Sequence, residues 1–579
     1  MSESVVSSRV SNIAILILVV LVGFAGRLAW IQLIDGPRLS AEATLKHTAQ
    51  QTIHGRRGEI TDTNGVVLAQ SVDRFDITVS PRNANQFTRD GKTITVDMAL
   101  NEIAAITGGD IAAMRSAIAL DPQSDFAYLV KAVTVEDLKK VRALQIPWVY
   151  KELHPYRTYP RGAVAGNLIG FMGTDGPLAG IEYYLNDCLK ATNGKSMYEK
   201  GLDGVVIPGS EVVTVPAVDG GAVQLTIDSD LQWFAQQLLI DQGTQLQAQW
   251  ATALVVKIDT GEILAAADWP SVDPNAVTET DSDDRGSRLF TSPYEPGSTI
   301  KPLIVSQMMD DGLITPGTKI VVPSKFALPG GDYVRDHVPH GTLQLTTTGV
   351  LVNSSNIGID ILSFDLTKKQ RYDYLTDFGI GTETGVHFLG EDSGQITKPD
   401  VVDSVTQYTE MFGQGFTVTS AQVAQAYQTI GNGGVRQPLS LVKSCTDASG
   451  KQVELKRDEP KRVLTEKTAN TVLEMLENVA TKSSARKSVS IPGYRVGIKT
   501  GTAEVARNGV YTKDMVISIA GIVPADNPKY TVVVTFGLPK YHRSSKYAGP
   551  AFSALVEQTV KYFRVPPSTG KTPDYPAEW

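Results

Sequence analysis

Cysteine is almost missing from this chain. Among 579 residues there are two, Cys188 and Cys445. No Cys-x-x-Cys pair and no Cys/His cluster occurs, so structural zinc and dithiol chemistry have no ligand set. The two cysteines fall in different candidate domains and read as ordinary buried thiols. A disulfide between them would need demanding geometry. Charge is sparse as well: charged residues make up 20% of the chain, the net charge is −8, and no long basic run occurs. That balance excludes the usual electrostatic footprint of a nucleic-acid binder. Low-complexity tracts and internal repeats are absent. With 42% hydrophobic residues the chain reads as globular. Its length suggests two to four domains at roughly 100–200 residues each. No motif for a cofactor or a metal is present.

Long hydrophobic runs are scarce too, and there is one. Residues Ile13 to Ile34 carry a single charge, Arg27. The uncharged core is slightly short of the roughly 20 residues needed to span a bilayer. Arg27 can snorkel and Trp30 suits an interface, which extends the span to Ile34. No polar face repeats at helical spacing, which argues against a buried globular helix. Ala41-Glu42-Ala43 resembles a signal-peptide cleavage site but lies well beyond the apolar core. The expectation is an uncleaved single-pass anchor at 13–34, in the cytoplasmic membrane, behind a short cytoplasmic tail at 1–12. Arg9 and the α-amino group, opposed by Glu3 alone, place the N-terminus inside and the rest outside.

Residues 46–220 are mixed and strand-rich. Asn64-Gly65 marks a turn between two strands within Gly58–Ala69, and 96–120 and 135–144 have helical spacing. This stretch carries no recognisable chemistry and reads as a spacer or docking module. Near residue 221 the texture changes. Val223–Ile227 is a short strand, and Asp228 can cap a helix starting near Leu231. Ala253–Ile258 and Glu262–Ala267 form a hairpin around Asp259-Thr260-Gly261. A second domain is expected at 221–570, followed by a tail at 571–579.

Three short motifs in that domain carry chemistry. In Glu295-Pro296-Gly297-Ser298-Thr299-Ile300-Lys301-Pro302 a turn precedes helical spacing, so Ser298 sits at a helix start with Lys301 on its face. Serine needs a base to become a nucleophile, and a desolvated lysine can serve. A Ser-x-x-Lys alone is weak, since roughly one or two arise by chance. Ser484-Ala485-Arg486-Lys487 is such a copy, in a polar run that reads as solvated surface. Ser354-Ser355-Asn356 lies between two helix-like stretches, Leu345–Val352 and Ile357–Phe364, and could relay a proton and hold a carbonyl. Lys499-Thr500-Gly501-Thr502 follows a strand expected at Tyr494–Ile498. Its lysine and hydroxyls suit a carboxylate, and its glycine would let a substrate backbone approach. His337 and His340 lie in a loop, and nothing in the sequence pairs them with a serine.

The three motifs in this order resemble the penicillin-binding protein and serine β-lactamase superfamily, and most closely its class B, monofunctional penicillin-binding proteins. Tyr294 to Pro302 looks like their active-serine segment. Arg57-Gly58-Glu59-Ile60, with Asp62, Gly65, Leu68 and Ala69, looks like their opening pedestal motif. Gly180-Ile181-Glu182, Asp203-Gly204 and Leu225-Thr226-Ile227-Asp228 resemble further signatures. So does Gly413-Gln414-Gly415 with Thr419-Ser420-Ala421-Gln422, which departs from the family pattern at Ser420 and Ala421.

The resemblance implies an α/β (α+β) chain: an anchor, an elongated pedestal or dimerisation domain at 46–220, and a transpeptidase domain at 221–570. That domain would hold a five-stranded antiparallel sheet flanked by helices. It implies a peptidoglycan D,D-transpeptidase that cross-links stem peptides through a serine acyl-enzyme. Ser298 would be the nucleophile and Lys301 the base. Ser354 and Asn356 would move the proton and position the donor, and Lys499, Thr500, Gly501 and Thr502 would bind it. Backbone N–H groups of Ser298 and Thr502 would form the oxyanion hole. Implied partners are D-Ala-D-Ala donors and amine acceptors of peptidoglycan, β-lactam antibiotics, a membrane glycosyltransferase and other division proteins. The short tail and the early end of the chain favour the septal, cell-division type over the elongation type. A D,D-carboxypeptidase or β-lactam-sensing relative on the same fold is the other alternative.

Overall fold

The computed structural model describes residues 3–38, 48–199, 201, 207, 209–329 and 331–579. Ala41-Glu42-Ala43 and Asp203-Gly204 lie outside the described residues. The apolar run forms the helix Glu3–Trp30, continued by a π-helical turn at Ile31–Asp35. Over Arg9–Arg38 the mean hydropathy reaches 2.4, and none of that window is buried inside the protein. This helix is long and apolar enough to cross a membrane.

The chain divides into two units: the larger resumes at Gly220, where the sequence placed a boundary, and also takes two earlier stretches. The smaller unit takes Met1–Arg56, Val72–Tyr156 and Ala191–Asp219; the larger takes Arg57–Ser71, Arg157–Lys190 and Gly220–Trp579. In the smaller unit the helical spacing becomes three helices, Val96–Thr107, Ile111–Leu120 and Val135–Ala143. Thr95, Asp110 and Thr134 cap them by accepting from the N–H groups of Met98, Ala112 and Asp137, satisfying donors that have no partner within the helix. Leu100, Ile103, Met114 and Leu138 pack against Ile77, Val79, Leu129 and Trp148.

The larger unit is built on the expected five-stranded antiparallel sheet. Its order is Ile263–Trp269, Trp250–Lys257, Tyr530–Gly537, Val510–Val523 and Gly497–Arg507. Every residue of the central strand Tyr530–Gly537 is buried, so both sheet faces are covered and its sequence, YTVVVTFG, runs without polar alternation. Helices Ser229–Leu246 and Gly549–Tyr562 pack on each other and on the sheet, as do Ser420–Gly431 and Glu466–Lys482. Asp228 caps the first of these as read from sequence. Ser420 and Ala421, the departures from the family pattern, are buried, and the Ser420 hydroxyl lies 3.0 Å from that of Thr252. The strand Gly497–Arg507 is a sheet edge.

The two cysteines are not separate thiols. Cys188 and Cys445 form a disulfide, with Cα atoms 6.3 Å apart. Sequence position put Cys188 with the pedestal, but Arg157–Lys190 belongs to the same unit as the strand Val442–Cys445. A second tie explains why. Glu182 is fully buried, and its two carboxylate oxygens each accept from an arginine, Arg57 Nε and Arg157 Nε, both at 2.6 Å. Arg57 also donates to the Glu182 carbonyl and to Asn186 Oδ1, and Arg157 to the Gly58 carbonyl. The opening Arg-Gly-Glu-Ile motif and the Gly-Ile-Glu motif are therefore two halves of one buried ion cluster.

Removing the anion would leave two guanidiniums desolvated without a counter-charge, which typically costs about 3–5 kcal/mol. Glu182→Gln is expected to lower the thermal unfolding midpoint of the larger unit by several degrees. A midpoint within one degree of wild type would contradict the cluster's structural role.

Candidate active site

Pro296-Gly297 bends the chain into a short 3-10 turn, Gly297–Ile300, that runs directly into the helix Lys301–Asp310. Ser298 thus sits at a helix start, as its sequence context predicts. It lines a cleft of about 720 Å³ together with Ser354, Asn356, Thr500 and Thr502. Lys301 lies beneath the cleft and is fully buried.

The Ser354-Ser355-Asn356 segment joins the helices Thr347–Asn353 and Asn356–Leu362. Leu345, read from sequence as helical, belongs instead to a strand, Leu343–Thr346. Ser354 itself is left-handed, with φ +56°, a conformation that L residues adopt at a cost. That turn exposes both its carbonyl and its hydroxyl to the two lysines. Lys301 Nζ donates to the Ser354 carbonyl at 2.6 Å and to Asn356 Oδ1 at 2.7 Å. Lys499 Nζ donates to Ser354 Oγ at 2.8 Å and to the Thr500 carbonyl at 3.1 Å. Lys301, Ser354, Asn356 and Lys499 form one hydrogen-bonded chain beside the Ser298 turn.

Burial pulls the Lys301 ammonium down to about 7, against the opposing pull of Asp336 and Asp360. An ordinary lysine titrates near 10.4. Burial, and then repulsion from Lys301, hold Lys499 well below the usual lysine range. Two ammonium groups this close and this dry disfavour each other's charge.

The Lys-Thr-Gly motif does not follow its strand, as the sequence suggested, but lies inside it: the strand is Gly497–Arg507. Alternation sends Thr500, Thr502 and Glu504 to the cleft and Lys499, Gly501 and Ala503 to the buried side. Gly501 is therefore not an opening for substrate. A Cβ there would lie 2.6 Å from Ser518 Oγ and 2.8 Å from the Pro296 carbonyl. The glycine lets this strand press against the turn that carries Ser298. Gly413 does the same from the Gly-Gln-Gly loop: the Gly297 N–H donates to its carbonyl at 2.9 Å, and a Cβ on Gly413 would fall 2.0 Å from the Gly297 carbonyl oxygen.

Sequence reasoning missed Asp336. Its carboxylate accepts from Ser355 Oγ at 2.6 Å and from the backbone N–H groups of Asn356 and Ile357 at 2.6 and 2.9 Å. It thereby fixes the helix start that aims Asn356. His340 Nε2 lies 2.9 Å from the same carboxylate, so this histidine supports Asp336. His337 and His340 both line the cleft. Ser484 is exposed as expected, but it also borders the cleft.

Gly501→Ala tests the close approach of strand and turn. Overpacking of this kind typically costs about 1–3 kcal/mol, so a lower thermal midpoint is expected, with weakened reactivity of Ser298. Unchanged stability and reactivity would show that the contact is not tight.

Comparisons with known proteins agree with this geometry. Residues 251–557 match the family described as the penicillin-binding protein transpeptidase domain, and residues 52–177 match the penicillin-binding protein dimerisation domain. The chain is 32% identical to penicillin-binding protein PbpB of Mycobacterium tuberculosis over 551 residues, covering 92% of this chain and 81% of that protein. It is 29% identical to the peptidoglycan D,D-transpeptidase FtsI of Escherichia coli, covering 96% and 92%. Among solved structures, a peptidoglycan synthetase from Bifidobacterium adolescentis superposes with a TM-score of 0.72 at 32% identity, over 92% of this chain and 100% of that one. Penicillin-binding protein 3 of M. tuberculosis, in complex with aztreonam, superposes with a TM-score of 0.70 at 26% identity, over 91% and 100%. A sheet carrying Lys-Thr-Gly, set against a Ser-x-x-Lys turn and a Ser-x-Asn turn, thus comes with family matches over both parts of the chain and relatives along nearly all of it: the chain belongs to the class B penicillin-binding proteins.

Proposed function

We propose that this chain is a membrane-anchored peptidoglycan D,D-transpeptidase of the septal, cell-division type, acting through a serine acyl-enzyme. The observation that carries the reading is the hydrogen-bonded chain Lys301–Ser354–Lys499, closed by Asn356, beside a serine open to the cleft.

Ser298 Oγ attacks the carbonyl of the penultimate D-alanine of a donor stem peptide. Lys301, whose ammonium burial pulls down to about 7, takes the hydroxyl proton. The proton held on Lys301 is then returned to the nitrogen of the departing terminal D-alanine, with the Ser354 hydroxyl, held by Lys499, as the relaying group, so that Ser354 regains the proton it gives. An amine from a neighbouring strand then attacks the acyl-enzyme, and the same groups run in reverse. The backbone N–H groups of Ser298 and Thr502 stabilise the tetrahedral oxyanion, a contribution often near 3 kcal/mol per donor. Thr500 and Thr502 offer hydroxyls to the donor's carboxylate, and Lys499 lies under them as the source of positive charge. β-Lactams would acylate the same serine.

The N-terminal helix anchors the chain in the cytoplasmic membrane, with its N-terminus inside and the catalytic unit outside. The Cys188–Cys445 disulfide supports that placement, since disulfides persist in oxidising compartments. A separate membrane glycosyltransferase and other division proteins are the partners that such an enzyme requires.

Labelling with a fluorescent penicillin tests the nucleophile. Ser298→Ala is expected to abolish covalent labelling, and Ser484→Ala to leave it, although both serines border the cleft. Labelling that survives loss of Ser298 would sink the assignment. The second test concerns the base. Because neutral Lys301 is the reactive form, the acylation rate should rise through about pH 7. Lys301→Arg cannot lose its proton and should cut acylation by about two orders of magnitude or more. A folded arginine variant that acylates at near-normal rate would refute lysine as the base.

A further inference from the structure

The segment read from sequence as a tail, 571–579, is built into the larger unit at both ends. Near its start, Asn478 Nδ2 donates to the Pro573 carbonyl at 2.9 Å, and the Tyr575 N–H donates back to Asn478 Oδ1 at 3.2 Å. Asn478 has no exposed surface. Tyr575 also gives its hydroxyl to Glu474 Oε2 at 2.6 Å, and Lys482 Nζ donates to the Tyr575 carbonyl at 2.7 Å. These partners all lie on the helix Glu466–Lys482, which packs on the strand Gly497–Arg507 that carries Lys499.

Its far end joins the other side of the site. Glu578 pairs antiparallel with Leu345, and the Trp579 N–H donates to the Gln344 carbonyl at 3.3 Å, so the segment lies along the strand Leu343–Thr346. Thr346 caps the helix Thr347–Asn353, its hydroxyl accepting from the Gly349 N–H. That hydroxyl donates to the Pro576 carbonyl at 2.5 Å, and the Thr346 N–H donates to the Ala577 carbonyl at 3.1 Å. The Ala577 carbonyl also sits against the first turn of the helix: a Cβ on Gly349 would fall 1.8 Å from its oxygen. The same helix ends at Ser354, whose left-handed turn meets both lysines. The acyl-transfer steps above use none of these contacts.

We propose that residues 573–579 are positioning residues for acyl transfer: they brace the helix that ends at Ser354 against the helix behind the Lys499 strand, and so hold the Ser354 hydroxyl on Lys499. Ser354 and Lys499 are 145 residues apart in sequence, and their hydrogen bond is 2.8 Å. A contact between such distant carriers stays short when the carriers are tied to each other. The brace touches neither the cleft nor Ser298; it acts through the helix Thr347–Asn353 alone. That helix and Glu466–Lys482 also touch directly, so loss of the brace loosens their alignment without parting them. The inference rests on Ser354 relaying the proton.

The test uses the anchored chain in detergent and one fluorescent penicillin, and reads the acylation rate constant separately from the fraction of molecules labelled. A stop after Thr572 removes the brace. Gly349→Ala keeps it but drives a Cβ into the Ala577 carbonyl, on a helix that alanine favours over glycine. Both variants are expected to label completely but about tenfold more slowly, as small misplacements of a reacting group do. Each is then combined with Ser354→Ala. A brace that acts through Ser354 has nothing left to position there, so neither change should slow the Ser354→Ala chain further. A merely structural role would lower the labelled fraction and leave the rate constant of the labelled molecules intact, or would slow the Ser354→Ala chain as much as the wild type; either result overturns the proposal. If the shortened chain does not fold, Gly349→Ala decides alone by the same two readings. Ser354→Ala by itself separates this inference from the one beneath it. A normal rate removes the relay and the proposal with it; a slow rate beside unslowed brace variants shows that the brace alone is wrong.

Discussion

Two lysines with no exposed surface share one serine, and the rest of the site follows from that crowding. An ammonium in water is strongly solvated; here the solvent is replaced by the Ser354 hydroxyl, the Asn356 amide oxygen and two backbone carbonyls, those of Ser354 and Thr500. Those acceptors satisfy some N–H groups but supply no full negative charge. Burial therefore drives both lysines toward neutrality, and each makes the other's charge harder to hold. Asp336 and Asp360 restrain the shift at Lys301, which comes to rest near neutral pH, where a base is most effective. Lys499 has no carboxyl among the causes of its shift, and burial with repulsion from Lys301 holds it well below the usual lysine range. One pair of identical side chains is thus split into two electrostatic roles by which carboxyls lie near each.

Holding that arrangement requires backbone to touch backbone. Ser298 sits on a turn pinned from two sides, by Gly413 of the Gly-Gln-Gly loop and by the edge strand at Gly501. Neither contact leaves room for a side chain. The loop is itself tied down where Glu295 accepts from the Gly415 N–H at 2.9 Å. The buried helix Ser420–Gly431 adds a third support, because Tyr427 donates its hydroxyl to the Thr299 carbonyl at 2.9 Å. Pieces of chain more than a hundred residues apart in sequence thus fix Ser298 by short-range contacts, an arrangement in which small displacements of its side chain are resisted from several directions.

The parts legible in the sequence are those with local signatures. Asp228 announces a helix start, Asp259-Thr260-Gly261 a hairpin, and Pro296-Gly297 a turn that aims Ser298. The parts that were not legible depend on distant partners. Nothing near Asp336 reveals that it caps the helix of Asn356, and nothing near Cys188 reveals that Cys445 is its partner. Gly501 was misjudged for the same reason: its small size serves Pro296 and Ser518 behind it. The left-handed Ser354 is hidden as well, because serine carries no mark of that conformation in sequence. That the stretches 57–71 and 157–190 sit with the later domain was hidden too, because it depends on Arg57 and Arg157, a hundred residues apart, meeting on Glu182.

On the proposed roles, a donor carboxylate would bring to the cleft a charge that the hydrogen-bond partners of Lys499 do not supply. The cleft face of the edge strand offers the Thr500 and Thr502 hydroxyls, with Lys499 buried underneath. A donor carboxylate arriving there brings the full negative charge that Lys499 lacks, and it favours the ammonium on that lysine. A charged Lys499 then repels charge on Lys301 more strongly, through a path of one serine. Binding the correct end group would in this way push the neighbouring lysine toward the neutral form that can accept the Ser298 proton. A ligand without a carboxylate would fill the same cleft and leave that balance untouched. On those proposed roles, recognition of the donor's terminus would be coupled to activation of the nucleophile, with Ser354 as the shared contact between the two.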